Sequence, residues 1–214
     1  TNGNAPRVIA VKERVPLAEL SHAAHPFVMS TKLGELRHGS ARGEVRSASH
    51  RLAWDLSFAC PTAAFRPFPL AGMYTGAFPR TKTLTPAPDT RTEGWFECDG
   101  ERWNVSGFRA AQGHNWGRGH AQCYAWMHGN AWQGAGTAQV FVELLSARVK
   151  LGPVTTPWLS VGAVSIDGTI YRFDGVRSLL SRTVRVDPRS YSLRVQSRHA
   201  KLEVQIGAEP ALIA

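Results

Sequence analysis

The sequence predicts an all-β protein. Two Asp-Gly pairs, Asp99-Gly100 and Asp167-Gly168, each separate two runs in which apolar and polar residues alternate. Asp-Gly between such runs is a strong hairpin signal, because both residues tolerate the positive φ that a two-residue turn needs. Further alternating runs recur along the chain, and only the window 175–181 resembles a helix. Many short strands joined by turns predict an antiparallel barrel or sandwich, and their meandering order favours a barrel.

The N-terminal part of the chain has no sustained period. Residues 1–33 contain three prolines and are expected to be irregular or to hold one or two strands. Within residues 43–59, four apolar side chains share one face of a period-two strand: Leu52, Trp54, Leu56 and Phe58. Two proline-rich passages, 61–69 and 80–92, are expected to be connections rather than strands.

The rest of the chain supplies the remaining strands. The first Asp-Gly turn joins 95–98 to 102–108, and the second joins 161–166 to 169–173. Other strands are expected at 121–128, 138–150, 183–186, 191–196 and 201–206. No repeat of fixed period is visible, although two diverged barrels would not show one.

Length and charge narrow the function classes. With 214 residues, the chain suits one large β domain or two small ones. The net charge of +9 would suggest nucleic-acid binding if the basic residues clustered. They are scattered, so we expect no nucleic-acid partner. The charge is either solvated surface or favours an anionic lipid, through peripheral contact with a membrane.

Cysteine content indicates a reducing environment. Cys60, Cys98 and Cys123 form no CxxC pair, and their odd number argues against a disulfide framework. We expect buried free thiols and a cytoplasmic location. No apolar run reaches about eighteen residues, so no transmembrane helix is predicted. The chain begins at Thr1 without Met or a signal pattern, and the sequence leaves open whether a natural segment precedes it.

Residues 113–128 are the strongest candidate for a site. They concentrate chemically capable side chains between glycines: His114, Trp116, His120, Tyr124, Trp126 and His128. Gly113, Gly117 and Gly119 are expected to allow tight or positive-φ backbone around them. If 121–128 is a strand, His120, Tyr124, Trp126 and His128 share one face, opposite a small apolar one. Aromatic rings with polar tips suit a cavity that holds a bulky apolar molecule; alternatively they fill a barrel interior.

His114 is the candidate catalytic residue. Imidazole transfers protons near neutral pH, Trp116 could shield a developing cation, and Asn115 could orient a group by hydrogen bonding. The alternative interpretation is a buried polar corner, in which His114 and Asn115 satisfy backbone groups at a tight turn. Both interpretations stay open.

The sequence predicts neither a metal site nor a cofactor. The spacing of His114, His120, Cys123 and His128 matches no zinc pattern, and His120 and His128 would lie ~26 Å apart on a regular strand. No motif for nucleotide binding or for a serine nucleophile is present. Six carboxylates are available as acids or bases, but no spacing singles out a pair: Asp55, Glu93, Glu97, Asp99, Glu101 and Glu143.

A family resemblance covers about residues 50–130. The residues that carry it are 79–89, Gly94, Asp99-Gly100, 107–109, the Gly-His-Asn-Trp-Gly segment 113–117 and Trp126. They resemble the lipocalin-like superfamily that includes hydroxyneurosporene synthase (a carotenoid hydratase), tocopherol cyclase and uncharacterised bacterial relatives. The resemblance implies two consecutive lipocalin-like β-barrels, an isoprenoid, polyketide or other lipidic ligand, and cofactor-free protonation chemistry. It also implies that His114 and Trp116 line the pocket. Hydratase sequences carry an acidic residue before this His, whereas Gly113 stands here.

Two main hypotheses follow. The first is an enzyme that hydrates, cyclises or isomerises an apolar substrate, with His114 transferring the proton; the second is a lipid carrier with the same pocket and no acid. A structural module without a cavity is the third. On the resemblance we place the first barrel at 1–130, either complete or lacking an N-terminal part, and the second at 131–214. Unpaired strand edges of an incomplete barrel would favour a homodimer.

Overall fold

The computed structural model of the protein describes residues 9–24, 26–60, 64–175, 177–178 and 182–207. These residues confirm the all-β class, because nearly all of their regular structure is antiparallel strand. Helical structure among them comprises one 3-10 turn, Leu17–Glu19, one short helix, α1, Gly72–Thr75, and residues 177–178.

Sixteen strands lie within the described residues. In chain order they are β1 Ser21–Ala24, β2 Phe27–Thr31, β3 Gly34–Arg37, β4 Ser40–Arg46, β5 Arg51–Phe58, β6 Thr81–Cys98, β7 Glu101–Gly117, β8 Cys123–Gly129, β9 Val140–Arg148, β10 Lys150–Leu151, β11 Val154–Thr155, β12 Leu159–Ile166, β13 Thr169–Arg172, β14 Thr183–Asp187, β15 Ser190–Gln196 and β16 Lys201–Gly207. Every strand expected at and beyond residue 95 is confirmed, with ends that differ by a few residues.

The strands form open antiparallel sheets. Strands β1 to β7 follow one another as a seven-stranded meander; the order β13-β12-β9-β8 forms a four-stranded sheet, and β14-β15-β16 a three-stranded one. Strands β10 and β11 form a separate ribbon. No closed barrel is found in the part of the chain that the structure describes. The structure therefore confirms an all-β fold of antiparallel sheets, whereas the two lipocalin-like barrels stay a prediction.

Contacts along the chain divide it into two units. The first unit comprises residues 1–62 and 90–110, and the second comprises 63–89 and 111–214. The long β6–β7 hairpin contributes residues to both. The predicted boundary near residue 130 falls in the connection between β8 and β9, and a division of the chain there stays a prediction.

The first unit shows the expected alternation. Strand β5 covers the predicted run, so Leu52, Trp54, Leu56 and Phe58 do share one face, where all four are half-buried. On the opposite face Ala53 is buried between two carboxylates, because its register partners are Glu44 on β4 and Glu97 on β6.

An ion-pair ladder crosses that face of the first unit. The Arg51 guanidinium donates to carboxylate oxygens of both Glu44 and Glu97. Arg46 and Arg102 extend the ladder on either side, with Nε of Arg46 2.5 Å from Oε1 of Glu44 and Nη2 of Arg102 3.1 Å from Oε2 of Glu97. These bonds lower the pKa of Glu97, mainly through Arg102 and then Arg51. Arg51 is likewise the main cause of the lowered pKa of Glu44.

The second unit contains the main core. The sheet that holds β9 packs against β14, β15 and β16 through a buried apolar cluster: Met127, Val142, Leu144, Phe173, Tyr191, Leu193 and Val195. Burial of these side chains supplies the main stabilising free energy of the unit. Strand β9 is buried on both faces, since Phe141, Val142, Glu143 and Leu144 are all buried in succession. A strand buried on both faces loses the polar half of its alternation.

The two Asp-Gly turns are confirmed. Asp99 and Gly100 have φ of 51° and 90°, and Asp167 and Gly168 have φ of 48° and 82°. Positive φ at both central residues is the geometry that lets a two-residue turn follow the twist of its strands. The Asp99 carboxylate also accepts a hydrogen bond from the backbone N–H of Arg51, which holds the turn against the neighbouring strand.

The expectation that 80–92 is a connection is wrong. These residues lie almost wholly within β6, an uninterrupted strand of 18 residues that contains Pro86 and Pro88. Prolines two positions apart place both missing N–H groups on the same strand edge, which leaves the other edge able to pair. On that other edge, Thr85 exchanges both backbone hydrogen bonds with Phe65.

The other sequence-based expectations concern the N-terminal region, the first proline-rich passage, the helix-like window and membrane-spanning helices. Strands β1 and β2 lie within residues 1–33, in keeping with one or two strands there; residues 1–8 fall outside the description. Residues 64–69 form no strand beyond the isolated bridge at Phe65, whereas 61–63 are not described. The helix-like window 175–181 falls largely outside the described residues. No helix in the described ranges is long and apolar enough to cross a membrane.

Candidate functional site

The Gly-His-Asn-Trp-Gly segment is the end of a strand. It forms the last five residues of β7, so His114 lies in a strand and the alternative interpretation, a tight turn at this position, is wrong. Gly117 has positive φ, 142°, and a Cβ atom there would lie 2.0 Å from the carbonyl oxygen of Arg80, so only glycine fits this position. Gly113 has open space around it and ordinary φ. The glycines thus allow close approach of the backbone at Gly117 alone.

Strand alternation separates the three candidate residues of this segment. His114 and Trp116 point to one side of β7 and are half-buried, whereas Asn115 points to the other side and is exposed. The His114 and Trp116 rings stack with centroids 5.2 Å apart. Asn115 therefore cannot orient a group held against that stack.

Trp116 also belongs to a wider aromatic row within the second unit. Its ring centroid lies 6.3 Å from that of Tyr74, and Tyr74 lies 5.5 Å from Phe68. The Tyr74 hydroxyl accepts a hydrogen bond from the Phe68 backbone N–H, which fixes the ring. Burial raises the pKa of Tyr74, so this hydroxyl stays protonated at neutral pH. Sequence spacing could not reveal this row, because residue 74 is distant from residue 116 along the chain.

Strand β8 carries the second group of candidates. It runs Cys123–Gly129, and the predicted faces are confirmed: Met127 packs into the core, while Tyr124 and Trp126 are 58% and 56% exposed. His120 precedes the strand and stacks on Tyr124, with centroids 6.5 Å apart. Exposed rings do not fill an interior, which removes the simplest structural reason for these aromatics.

His128 faces a buried acid. The Nδ1 atom of His128 lies 3.4 Å from Oε2 of Glu143, and the two side chains are only 10% and 2% exposed. The residues are direct register partners on β8 and β9. Thr85 on β6 donates a hydrogen bond of 2.6 Å to the other carboxylate oxygen of Glu143. We refer to His128 and Glu143 as the buried pair.

The buried pair keeps unused hydrogen-bonding capacity. Neither ring nitrogen of His128 nor Oε2 of Glu143 has a hydrogen-bond partner among the described residues. Polar atoms buried without partners are costly and cluster at functional sites. Trp126 stacks on the His128 ring at 6.1 Å, so an exposed aromatic covers a buried imidazole. The sequence contained both residues as candidates but offered no reason to pair them.

An apolar groove lies on the opposite face of the same two strands. It has a volume of about 390 Å³ and is lined by Met127, Trp132, Val140, Val142 and residues 202–206 of β16. Trp132 forms an exposed wall, and its indole N–H donates to the carbonyl of Gly129 at 3.3 Å. A Cβ atom at position 129 would lie 2.8 Å from that ring, so a larger residue there would displace the indole.

A second concavity, the basic pocket, lies at the other edge of the four-stranded sheet. Its volume is about 450 Å³, and β13 and the β15–β16 turn contribute to its walls. The residues around it are Ile170, Tyr171, Arg172, Asp174, Gly175, Arg177, Ser178, Ser197, Arg198 and His199. None of these residues was singled out from the sequence.

The remaining candidates from the sequence are the three cysteines and the potential metal ligands. Cys60, Cys98 and Cys123 form no disulfide, but the expectation that they are buried is wrong, since Cys123 is exposed and the other two are half-buried. Cys123 begins β8, which lies at the edge of the four-stranded sheet and pairs with β9 on its other side. Within the described ranges, no group of three or more His, Cys, Asp or Glu residues could hold a metal ion.

Fold and site define an all-β protein whose second unit carries an apolar groove, a buried His–Glu pair and a basic pocket. In comparison with known proteins, no family model, no curated protein and no solved structure matches the chain. The resemblance to the lipocalin-like superfamily therefore stays a hypothesis.

Proposed function

We propose that this protein binds a hydrophobic small molecule of the isoprenoid, polyketide or lipid class. The observation that carries the proposal is the apolar groove of about 390 Å³ in the second unit. Ligand sites are concavities of roughly 300–1,000 Å³ with mainly apolar walls and few polar groups. Here Met127, Val140 and Val142 supply one wall and apolar residues of β16 another, while Glu203 and Gln205 supply polar groups.

Contacts within the protein hold the aromatic wall of the groove in place. Trp132 is held by its bond to the Gly129 carbonyl and by contact with that glycine. A fixed aromatic wall loses little conformational entropy on binding, so more of the contact energy appears as affinity. As part of this proposal, the groove belongs to an architecture of two consecutive lipocalin-like barrels.

Carriage is the better supported form of this function. Met127 faces the groove, so its neighbour His128 points to the other side of β8. A ligand in the groove therefore does not reach the buried pair. Binding without chemistry needs only the groove, and the bordering carboxylate of Glu203 is already paired with Arg194.

Cofactor-free proton transfer is the second candidate, favoured by the buried pair. A carboxylate beside Nδ1 orients the imidazole ring, and Nε2 is then the atom that exchanges a proton with a substrate. His114 with Trp116 remains the group that the family resemblance assigns to this chemistry. An enzyme of this kind would hydrate, cyclise or isomerise a polyene held against the exposed rings of Tyr124 and Trp126.

Probe binding tests the groove. Titration with cis-parinaric acid or retinol should give saturable fluorescence, and Trp132→Ala should weaken binding at least tenfold because it removes one wall. Trp103→Ala is the matched control: Trp103 is similarly exposed but lies in the first unit, outside the groove. Equal losses in both variants, or no saturable binding, would remove the proposal.

Substrate identification separates carriage from chemistry. Native mass spectrometry of the protein from its own host, followed by denaturing extraction, identifies a co-purifying apolar molecule. That molecule is then incubated with wild type, His128→Gln and His114→Ala. Unchanged recovery with all three proteins indicates a carrier; turnover that one histidine variant loses indicates an enzyme and names its proton-transfer group.

A further inference from the structure

We infer that the buried pair of the second unit is a binding site for an organic amine in its ammonium form. His128 and Glu143 belong to β8 and β9, and they lie on the face of these strands opposite the apolar groove, which Met127 and Val142 line. The inference therefore does not rest on the proposed binding of a hydrophobic molecule in that groove.

Unused hydrogen-bonding capacity is the first argument. Oε2 of Glu143 and both ring nitrogens of His128 are buried without a hydrogen-bond partner among the described residues. The other carboxylate oxygen of Glu143 already accepts a hydrogen bond of 2.6 Å from the hydroxyl of Thr85. A buried acceptor without a donor costs free energy, and a ligand that brings N–H groups to these atoms would remove that cost.

Charge favours a cation over a neutral donor. The side chain of Glu143 is 2% exposed, and its one ion-pair contact in the described part of the chain is with the imidazole of His128, not with a lysine or arginine. Arg172 lies on the same face two strands away, since Glu143 and Arg172 are both register partners of Ala163. Its guanidinium is paired with Asp174 instead. An ammonium would give the Glu143 carboxylate a charge-assisted hydrogen bond, which is about twice as strong as a neutral one.

Aromatic rings beside the buried pair suit the same ligand. The Trp126 ring stacks on the His128 ring with centroids 6.1 Å apart, yet Trp126 remains 56% exposed. Tyr124 lies two residues earlier on the same face of β8 and is 58% exposed. The face of an aromatic ring attracts a cation, and tryptophan attracts it most strongly. A buried carboxylate and exposed aromatic rings together indicate a ligand that joins an ammonium group to an apolar body.

Access to the buried pair runs past Trp126. Strand β8 is the last strand of its sheet, so no further strand of that sheet lies beside Trp126 on the outer side. Because Trp126 is exposed and covers the His128 ring, rotation of the Trp126 side chain to another rotamer would open the pair. The indole can then pack against the apolar body of the ligand. A small arylalkyl amine has both of the required parts.

Titration of the wild-type protein with phenethylamine tests the site, and 2-phenylethanol is the neutral counterpart. Calorimetry should show saturable binding of phenethylamine, and 2-phenylethanol should bind at least tenfold more weakly because it carries no charge. NMR amide shifts should place phenethylamine at residues 124–129 and 141–145. Equal binding of the two compounds, shifts confined to other residues, or no saturable binding of phenethylamine would each overturn the inference.

Matched variants locate the site. Glu143→Gln should weaken phenethylamine binding at least tenfold, since it removes the charge but keeps the shape and an oxygen for Thr85. Glu101→Gln makes the same change at an exposed position of the first unit and should leave binding intact. Trp126→Leu should also weaken binding, whereas Trp103→Leu, in the first unit, should not. Equal losses in the site and control variants would mean nonspecific attraction and would overturn the site. Retinol binding in the groove should persist in Glu143→Gln, so the two proposals fail separately.

Discussion

The two units use the same strand geometry but are stabilised in different ways. Among the described residues of the first unit, the buried hydrophobic side chains are Ala53 and Val105, and its most extensive polar feature is the ion-pair ladder around Arg51. The second unit buries a cluster from two sheets and covers β9 on both faces. The difference teaches that alternation alone does not indicate how deeply a strand is buried, because burial depends on what packs against each face.

The two units also differ in where their ion-paired carboxylates lie. In the first unit, Glu44 and Glu97 lie beside arginines at a face that water reaches, and each is fully paired. In the second unit, Glu143 lies in the interior with one oxygen bound to Thr85 and the other beside His128. An exposed ion pair contributes little to stability, whereas removing one partner of a buried pair leaves a costly charge.

The largest expected effect is the loss of unfolding free energy when a core leucine is shortened, and it should differ between the two units. Leu144→Ala should lower the free energy of unfolding of the second unit by about 4 kcal/mol, because a side chain that is 1% exposed leaves a cavity. Leu56→Ala, at a half-buried position of β5, should cost about half as much. Hydrogen exchange with mass spectrometry reads the units separately. Equal costs would show that the first unit is as tightly packed as the second.

Removal of the Glu143 carboxylate should have the next largest effect on stability. Glu143→Ala should destabilise the second unit by about 3 kcal/mol, because the Thr85 hydroxyl and His128 lose their shared partner inside the protein. Glu143→Gln keeps the shape and an oxygen for Thr85 and should cost clearly less. Urea unfolding curves measure both. A Glu143→Ala variant as stable as wild type would mean that water reaches the pair freely.

The two Asp-Gly turns provide an internal match between the units. Gly100→Ala and Gly168→Ala should each cost about 1 kcal/mol, since both positions have positive φ and open space for a Cβ atom. Gly113→Ala, in open space at ordinary φ, should be neutral or slightly stabilising. Thermal unfolding compares the three variants. A large cost at Gly113 would contradict the extended backbone of the Gly-His-Asn-Trp-Gly segment.

The smallest effect concerns the ion-pair ladder and depends on pH. Because the folded-state pKa of Glu97 lies below its usual value of 4.5, its ion pairs stabilise the protein above about pH 4.5 and lose that effect as the pH falls through the lowered pKa. Glu97→Gln should therefore be slightly less stable than wild type at pH 7 and equal to it in strong acid. Glu101→Gln, on the same hairpin but outside the ladder, should follow wild type throughout. Urea midpoints across the pH range test this, and a constant gap would contradict the ladder's role.

Part of the site could be predicted from the sequence. Strand alternation placed Tyr124, Trp126 and His128 on one face of β8 and Met127 on the other, and the structure confirms this. The tight turn that was one of two interpretations of His114 is not found, because glycines around a histidine are compatible with a strand when only one of them has positive φ. The apolar groove and the basic pocket could not be foreseen, since each combines strands that are far apart along the chain.

The sequence by itself determined the class and the local turns. Asp-Gly pairs and period-two runs follow from backbone sterics and side-chain direction, which act over a few residues, so the hairpins at residues 99–100 and 167–168 could be predicted. Only the tertiary structure decided which residues meet. The register of β8 on β9 places His128 against Glu143, and β6 brings Thr85 to the same carboxylate. Those contacts depend on the pairing of distant strands, which local propensity does not specify.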